Sequence, residues 1–260
     1  MADVVAFPEG GYRFIKAVFQ YSAGVAAEPG FRIERVRLDP PLPLAEGFEA
    51  AAAWLKAVGR PLHALCACEL RSPAPFTEAE FTAFNRLYVG TLEHWDIVRS
   101  NVNPIARTNV CPLFDPPAVP SLYAFSFTVP SSGHERGSFV IAGGGEAPEG
   151  RANYRDHIVR LGDTSKEGMR EKVRYVVREM ESRLSALAFS WHDVLATQAF
   201  TVHDIGQLYI DEIARRGAAP NGLTWHACRP PIVDLEYEMD ARAPFREHVM
   251  GIGHAAQQPG

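Results

Sequence analysis

Three short stretches carry the side chains best suited to chemistry. NPIARTNV (residues 103–110) sets Arg107 among small and apolar residues, where a strand-like stretch begins. A guanidinium is planar and permanently charged, so it suits gripping a carboxylate through two parallel hydrogen bonds. The plainer alternative is a surface salt bridge on a solvated loop. In DLEYEMDA (234–241), Glu236 and Glu238 lie two residues apart, so strand alternation puts both carboxylates on one face. The same alternation gives Arg107, Asn109 and Cys111 a common face, where Cys111 can line a pocket. No paired base is evident that would make Cys111 a nucleophile.

Two other spacings point to weaker chemistry. His63, Cys66 and Cys68 form an H-x2-C-x-C pattern. No second ligand cluster completes a tetrahedral site, and LHALCACEL alternates like a buried strand in which cysteine packs as a small hydrophobe. The run IAGGGE is not followed by the Lys-Ser/Thr pair of a phosphate loop. Neither a metal nor an organic cofactor is expected.

The elements that must position these residues fall into two halves with one plan. In the first, a helix over 47–59 buries Phe48, Ala51, Ala52 and Leu55 and stops at Gly59 and Pro61. A strand over 62–70 follows, then a second helix with a capping box at Thr77 and Glu80. In the second half, a helix over 169–189 buries Val173, Val176, Val177, Met180 and Leu184. A strand over 191–202 and a helix over 203–217 come next, and the last strand candidate is IVDLEYEMDAR. Each half also opens with hairpin-like material: YRFIKAVFQYSAGV in the first, LYAFSFTV then SFVIAGGG in the second. The Pro- and Gly-rich stretch near 130–150 marks a boundary, giving units 1–130 and 131–260 of α+β class.

Composition narrows the class. The 260 residues are 47% hydrophobic and 22% charged, with net charge -5, which favours a folded core and gives no basic footprint for nucleic acid. No apolar run approaches the roughly 20 residues of a membrane span, and the first residues show no secretory pattern. The expectation is a soluble, cytoplasmic protein.

With those motifs in order, both halves resemble the YjgF/RidA family of enamine and imine deaminases. The likeness runs through FQYSAGV, LHALCACEL, FNRLY and IARTNV in the first half. In the second it runs through SFVIAGGGE, LSALAFSWHDVLATQAFTV, IGQLY and DLEYEMDA. It implies two tandem RidA-like (chorismate-mutase-like) domains, each a mostly antiparallel sheet with two helices on one face. It also implies a homotrimer with ligand clefts between domains. The family's substrate-holding arginine falls on Arg107 and its helix asparagine on Asn85. Its cleft-lining turn falls on Ser22 to Gly24 and on Ala142 to Gly144, and its first-strand aromatic on Tyr12 or Phe14. Leu223 and Gly206 stand where the second half would carry its arginine and asparagine. Glu236 and Glu238, in turn, have no carboxylate counterpart in LYAFSFTV. The resemblance therefore implies one composite site, with Arg107 from one half and a water-orienting carboxylate from another. His226, beside Trp225, is a further titratable group that could approach such a cleft.

The expected activity is hydrolytic deamination of an enamine or imine carboxylate, with a 2-aminomuconate-type dicarboxylate leading. Arg99, Arg13 or Arg229 would supply a second cation. A general 2-aminoacrylate-type deaminase and a non-catalytic ligand binder are the alternatives.

Overall fold

The computed structural model of the chain describes residues 2–133, 137–151 and 153–252. Its first regular elements are three short strands, β1 (Val4–Phe7), β2 (Tyr12–Ile15) and β3 (Gly24–Ala27), then the long β4 (Phe31–Pro43). Helix α1 (Leu44–Ala57), β5 (Leu65–Arg71), α2 (Glu78–His94), β6 (Ala106–Pro112) and β7 (Ser121–Pro130) complete the first half. The second half runs β8 (Phe139–Gly145), α3 (Lys166–Ala186), β9 (Ala196–Phe200), β10 (Thr224–His226), β11 (Cys228–Arg229), β12 (Glu238–Ala243) and β13 (Arg246–Gly251).

These strands build two sheets, ordered β11-β6-β5-β7-β4-β13 and β1-β2-β3-β8-β12-β9-β10. Four strands of each half share one arrangement. Taken in chain order within the half, both run third, second, fourth, first: β6-β5-β7-β4 and β10-β9-β12-β8. The second and third strands are parallel in both sheets, and the fourth is antiparallel to its two neighbours.

Helices α1 and α2 cover the outer face of the first sheet, where Phe48, Leu55, Phe84 and Tyr88 pack on Val36, Leu38 and Phe125. Helix α3 covers the second sheet through Val173, Val176, Met180 and Leu184 against Ile141, Met239 and Ala241. The inner faces meet at Val25, Val140 and Ala142 against Ile33, Cys66 and Ala106. The result is four layers, helices outside and sheets within.

Local signals with a strong period appear where the sequence puts them. Thr77 Oγ1 accepts from the Glu80 amide at 3.3 Å, and Glu80 Oε2 accepts from the Thr77 amide at 2.8 Å, closing the capping box. Three expectations need correction. The N-terminal strands pair with one another as the expected hairpin, β1 with β2 and β2 with β3, but they join the sheet of the second half: β3 pairs β8, with Gly24 opposite Ile141. LYAFSFTV does not pair with SFVIAGGG, because β7 lies between β5 and β4. Alternation tells a strand which face to bury but not which sheet edge to join. The helix expected over 203–217 is α-helical only at Gly206–Leu208, then π over Tyr209–Ile213 and 3-10 over Ala214–Arg216. Its buried Leu208 and Ile213 are five residues apart, which a wide π turn brings to one face and a regular helix does not.

Among the described residues, no helix is long and apolar enough to cross a membrane. Cys66 packs between the sheets and Cys68 under the helices, so the H-x2-C-x-C residues do not converge.

Candidate active site

A cavity of about 440 Å³, counting its open mouth, lies where the two sheets meet. Strand β6 contributes Arg107 and Asn109, β12 its first residue Glu238, and β8 Gly143 and Gly145. Tyr21 enters from the β2–β3 connection and Phe81 from α2, while Glu149 and Tyr154 come from the segment after β8. Pro231, Ile232 and Leu235, ahead of β12, close the remaining side.

Arg107 is only 4% exposed. Its Nη1 donates to Asn85 Oδ1 at 2.7 Å, and its guanidinium carbon lies 4.9 Å from the ring centres of both Tyr21 and Tyr88. Among the described residues no carboxylate comes within ion-pair distance of it. A buried cation without an anion is costly, and aromatic faces offset only part of that cost. The surface salt bridge is excluded by burial; what remains is a guanidinium that lacks its counter-ion. Among the described residues the amide nitrogens of Asn85 and Asn109 have no partner, although Asn109 Oδ1 accepts from Ser72 Oγ at 2.9 Å. Asn109 lines the cavity, and an orphan donor there suits an acceptor-rich ligand.

Glu238 is 5% exposed and takes no hydrogen bond from the described residues. Burial raises its pKa well above the usual carboxylate range; Asp240 and Glu146 push the same way, and Arg107 and Arg183 oppose. The shift favours the protonated acid, and the carboxyl faces the same cavity as Arg107. Gly143 permits this, since a Cβ there would lie 2.2 Å from Glu238 Oε1. Below it, Asp240 accepts from Thr108 Oγ1 at 2.8 Å and from Gln198 Nε2 at 2.9 Å, tying β12 to both sheets.

Register locates these two residues within the repeated plan. A 3-10 turn precedes each half's second strand, Leu62–Ala64 before β5 and Trp191–Asp193 before β9. Counted from those turns, Cys68 matches Thr197 and Arg71 matches Phe200. Arg107 is registered on Cys68, while Thr224 is registered on Gln198, which sets Leu223 opposite Thr197. Glu238 is opposite Phe200 and Ser121 opposite Arg71. Leu223 thus occupies the place of Arg107, and Ser121 that of Glu238.

Other residues picked from the sequence lie elsewhere. Glu236 precedes β12, where ladder alternation does not hold, and its carboxylate meets His203 Nε2 at 2.7 Å and Arg229 Nη1 at 3.3 Å. It does not share the cavity with Glu238. Ser22 donates through Oγ to Pro104 O and through its amide to Ile105 O, so its N–H is not offered to a ligand. It splices the β2–β3 connection onto the entry of β6 and thereby sets Tyr21 over Arg107. Gly24 is a ladder residue of β3, and Phe14 fills the core between the sheets. His226 stacks on Phe200 and meets Gln198 Oε1 at 3.0 Å; burial and Arg71 lower its pKa to about 4. Cys111 is buried beside β11 rather than on the cavity wall, with its thiol pushed up to about 12 by burial and by Glu238. Arg99 pairs with Asp96 and Glu9, Arg13 with the carbonyls of Ala27 and Leu187, and Arg229 with Glu236. None of the three lines the cavity.

Sequence reasoning missed Tyr21, Glu149, Tyr154 and Arg183. Glu149 Oε1 accepts from Tyr21 Oη at 3.2 Å and from Arg183 Nη2 at 2.8 Å. Arg183 also donates to the carbonyls of Ala142 and Gly143. A signal did exist, because Lys172 and Arg183 sit within the apolar stripe of α3. A charge on a buried helix face needs a buried partner. Lys172 has Glu146, whose carboxylate also accepts from the amides of Glu236 and Tyr237 and so fixes the entry to β12.

Comparison with known proteins matches residues 4–248 to the family described as 2-aminomuconate deaminase CnbZ. The chain is 56% identical over 251 residues to a 2-amino-5-chloromuconate deaminase of Comamonas testosteroni, covering 96% of this chain and all of the relative. Among solved structures, a chorismatase aligns over 85% of this chain and 77% of its own at 12% identity, with TM-score 0.49. A member of the YjgF/YER057c/UK114 family from Mycobacterium tuberculosis aligns over 41% of this chain and 78% of its own at 18% identity, with TM-score 0.27.

Proposed function

The chain belongs to the 2-aminomuconate deaminase CnbZ family, and on that premise we propose that it hydrolyses an enamine dicarboxylate of the 2-aminomuconate type, releasing ammonia. The observation that carries this reading is Arg107: a buried guanidinium with no carboxylate partner among the described residues, facing the same cavity as Glu238, a carboxyl whose pKa burial raises.

Arg107 holds the carboxylate next to the carbon that bears nitrogen, and Asn85 fixes one edge of the guanidinium. Glu238 delivers its proton to the enamine carbon, and the nitrogen lone pair moves in to form a C=N iminium. Water adds to the carbon of that C=N bond, its proton passes to nitrogen by way of the Glu238 carboxylate, and the carbinolamine expels ammonia as its hydroxyl proton returns to Glu238, leaving a carbonyl. An acid that keeps its proton near neutral pH is what the first step demands. These steps call on no metal.

The reading includes the two-unit plan, with RidA-like domains 1–130 and 131–260. The shared strand order of the two sheets supports it, with the N-terminal strands crossing to the second unit's sheet. Further proposals are a homotrimer, for which sedimentation of a compact monomer is the contrary result, and a cytoplasmic place in aromatic-compound degradation. The deciding assay follows ammonia release from 2-aminomuconate and from 2-aminoacrylate, each generated in situ. Release from the dicarboxylate at the higher kcat/KM is expected. Preference for 2-aminoacrylate would favour a general enamine deaminase, and no release from either would end the catalytic reading.

A further inference from the structure

A dicarboxylate needs two anion seats, and Arg107 supplies one. The cations picked from the sequence for the other are all committed away from the cavity. The cavity wall instead holds a carboxylate already seated, Glu149. Glu149 Oε1 accepts from Arg183 Nη2 at 2.8 Å and from Tyr21 Oη at 3.2 Å, a charge-assisted bond beside a neutral one. Tyr21 joins the two places, its ring over the Arg107 guanidinium and its hydroxyl on Glu149.

We propose that Arg183 and Tyr21 form the seat for the substrate's second carboxylate, and that Glu149 is an internal stand-in that occupies the seat until substrate displaces it. The proposal rests on the dicarboxylate reading above and names the residues that select it.

Three features support an exchange over a fixed ion pair. Arg183 is 7% exposed and held by the carbonyls of Ala142 and Gly143, so its position does not depend on Glu149. The Glu149 side chain is 19% exposed at the cavity wall and belongs to no strand or helix, so rotation about its own bonds carries it toward water. The segment bearing it is closed at its base, where the Val159 amide donates to Glu146 O at 2.9 Å, and it need not move as a whole. Trading one carboxylate for another also spares Arg183 from standing buried and unpaired, which is the expensive state. A substrate with a single carboxylate, anchored on Arg107, leaves Glu149 in place and gains nothing from this wall.

The test compares binding of muconate, the six-carbon diene diacid without the amino group, with binding of sorbate, the same chain with methyl replacing one carboxylate. Calorimetry on the full chain is expected to give muconate about tenfold tighter binding than sorbate. Tyr21→Phe keeps the ring over Arg107 and removes one donor, so the preference falls by about threefold or more. Glu149→Gln weakens the competitor without emptying the seat, so the preference rises. Equal affinities in the wild type, or a Glu149→Gln variant whose preference falls, overturn the proposal. If the preference is absent while 2-aminomuconate still releases ammonia, the second seat fails alone. If neither acid binds and no ammonia appears, the dicarboxylate reading fails with it.

Discussion

The two halves of the molecule repeat one strand order and differ in what that order carries. In the first half, β6 bears Arg107 and β7 begins at Ser121. In the second, Leu223 precedes β10 and β12 begins with Glu238. Each half therefore holds one member of an acid–cation pair and an unreactive residue at the other place. Because the sheets meet face to face, β6 and β12 wall the same cavity, and in the proposed function the two incomplete sets complement each other there. The matching positions Leu223 and Ser121 do not line that cavity. Their environments differ accordingly: Leu223 packs on the core under α3, and Ser121 Oγ is spent on Val119 O at 2.8 Å.

The sharpest way to break this asymmetry is to remove the cation. Arg107→Ala should lower kcat/KM for 2-aminomuconate by about a thousandfold, through lost grip and lost orientation. Leu223→Ala should leave it within about threefold, as a change outside the site does. Steady-state ammonia release measures both, and comparable losses from the two variants would dissolve the distinction between the halves.

Next in size is the acid. Glu238→Gln should lower kcat by about a hundredfold, within the usual range for a lost general acid. Ser121→Ala should stay within about twofold. The wild-type rate should fall as alkaline pH strips the Glu238 proton, and the residual rate of Glu238→Gln should lose that limb. A pH profile unchanged by the substitution would show that the proton comes from elsewhere.

The same carboxyl should be visible in stability. Its folded pKa is raised, so above the ordinary carboxylate range the native state binds a proton that the unfolded chain has released. Wild-type stability is then lost progressively as pH climbs from the unfolded pKa toward the folded one. Glu238→Gln removes that loss, and the variant's melting temperature relative to wild type should rise between pH 5 and pH 8. A difference that stays flat with pH would mean Glu238 is ionised in the fold.

The smallest expected effect concerns the helices. Helix α2, which carries Asn85 and Phe81 to the site, has a complete capping box, whereas its irregular counterpart starts at Gly206 with no side-chain cap on Ile205. Thr77→Ala should lower the melting temperature by about 2–4 °C, the effect of ~1 kcal/mol in a chain of this size. No change on calorimetric melting would mean that tertiary packing alone sets the start of α2.

Much of this was legible because periodicity is local. The stripes of α1 and α3, the capping box of α2 and the alternation that gives Arg107 and Asn109 one face all follow from residues within a few turns of each other. The same reasoning failed on Glu236, whose spacing from Glu238 implies a shared face only if the strand extends that far, and it stops at Glu238. It missed Glu149, hidden in a Gly- and Pro-rich stretch that has no period. Arg183 left a trace, as a charge on a buried stripe, but its partner lies 34 residues away with nothing local to indicate it.

The sequence by itself determined the regular helices α1, α2 and α3, the buried faces of α1 and α3, and that one half has an arginine where the other has a leucine. Those are properties of short stretches, set by side-chain size, charge and period. Only the tertiary structure decided that β3 joins β8, that the two sheets face each other, and that Arg107 and Glu238 therefore share a cavity. Sheet edges are interchangeable to a strand's local pattern, and the choice between them is made by burying a common core such as Val25, Val140 and Ala106, which no single stretch contains.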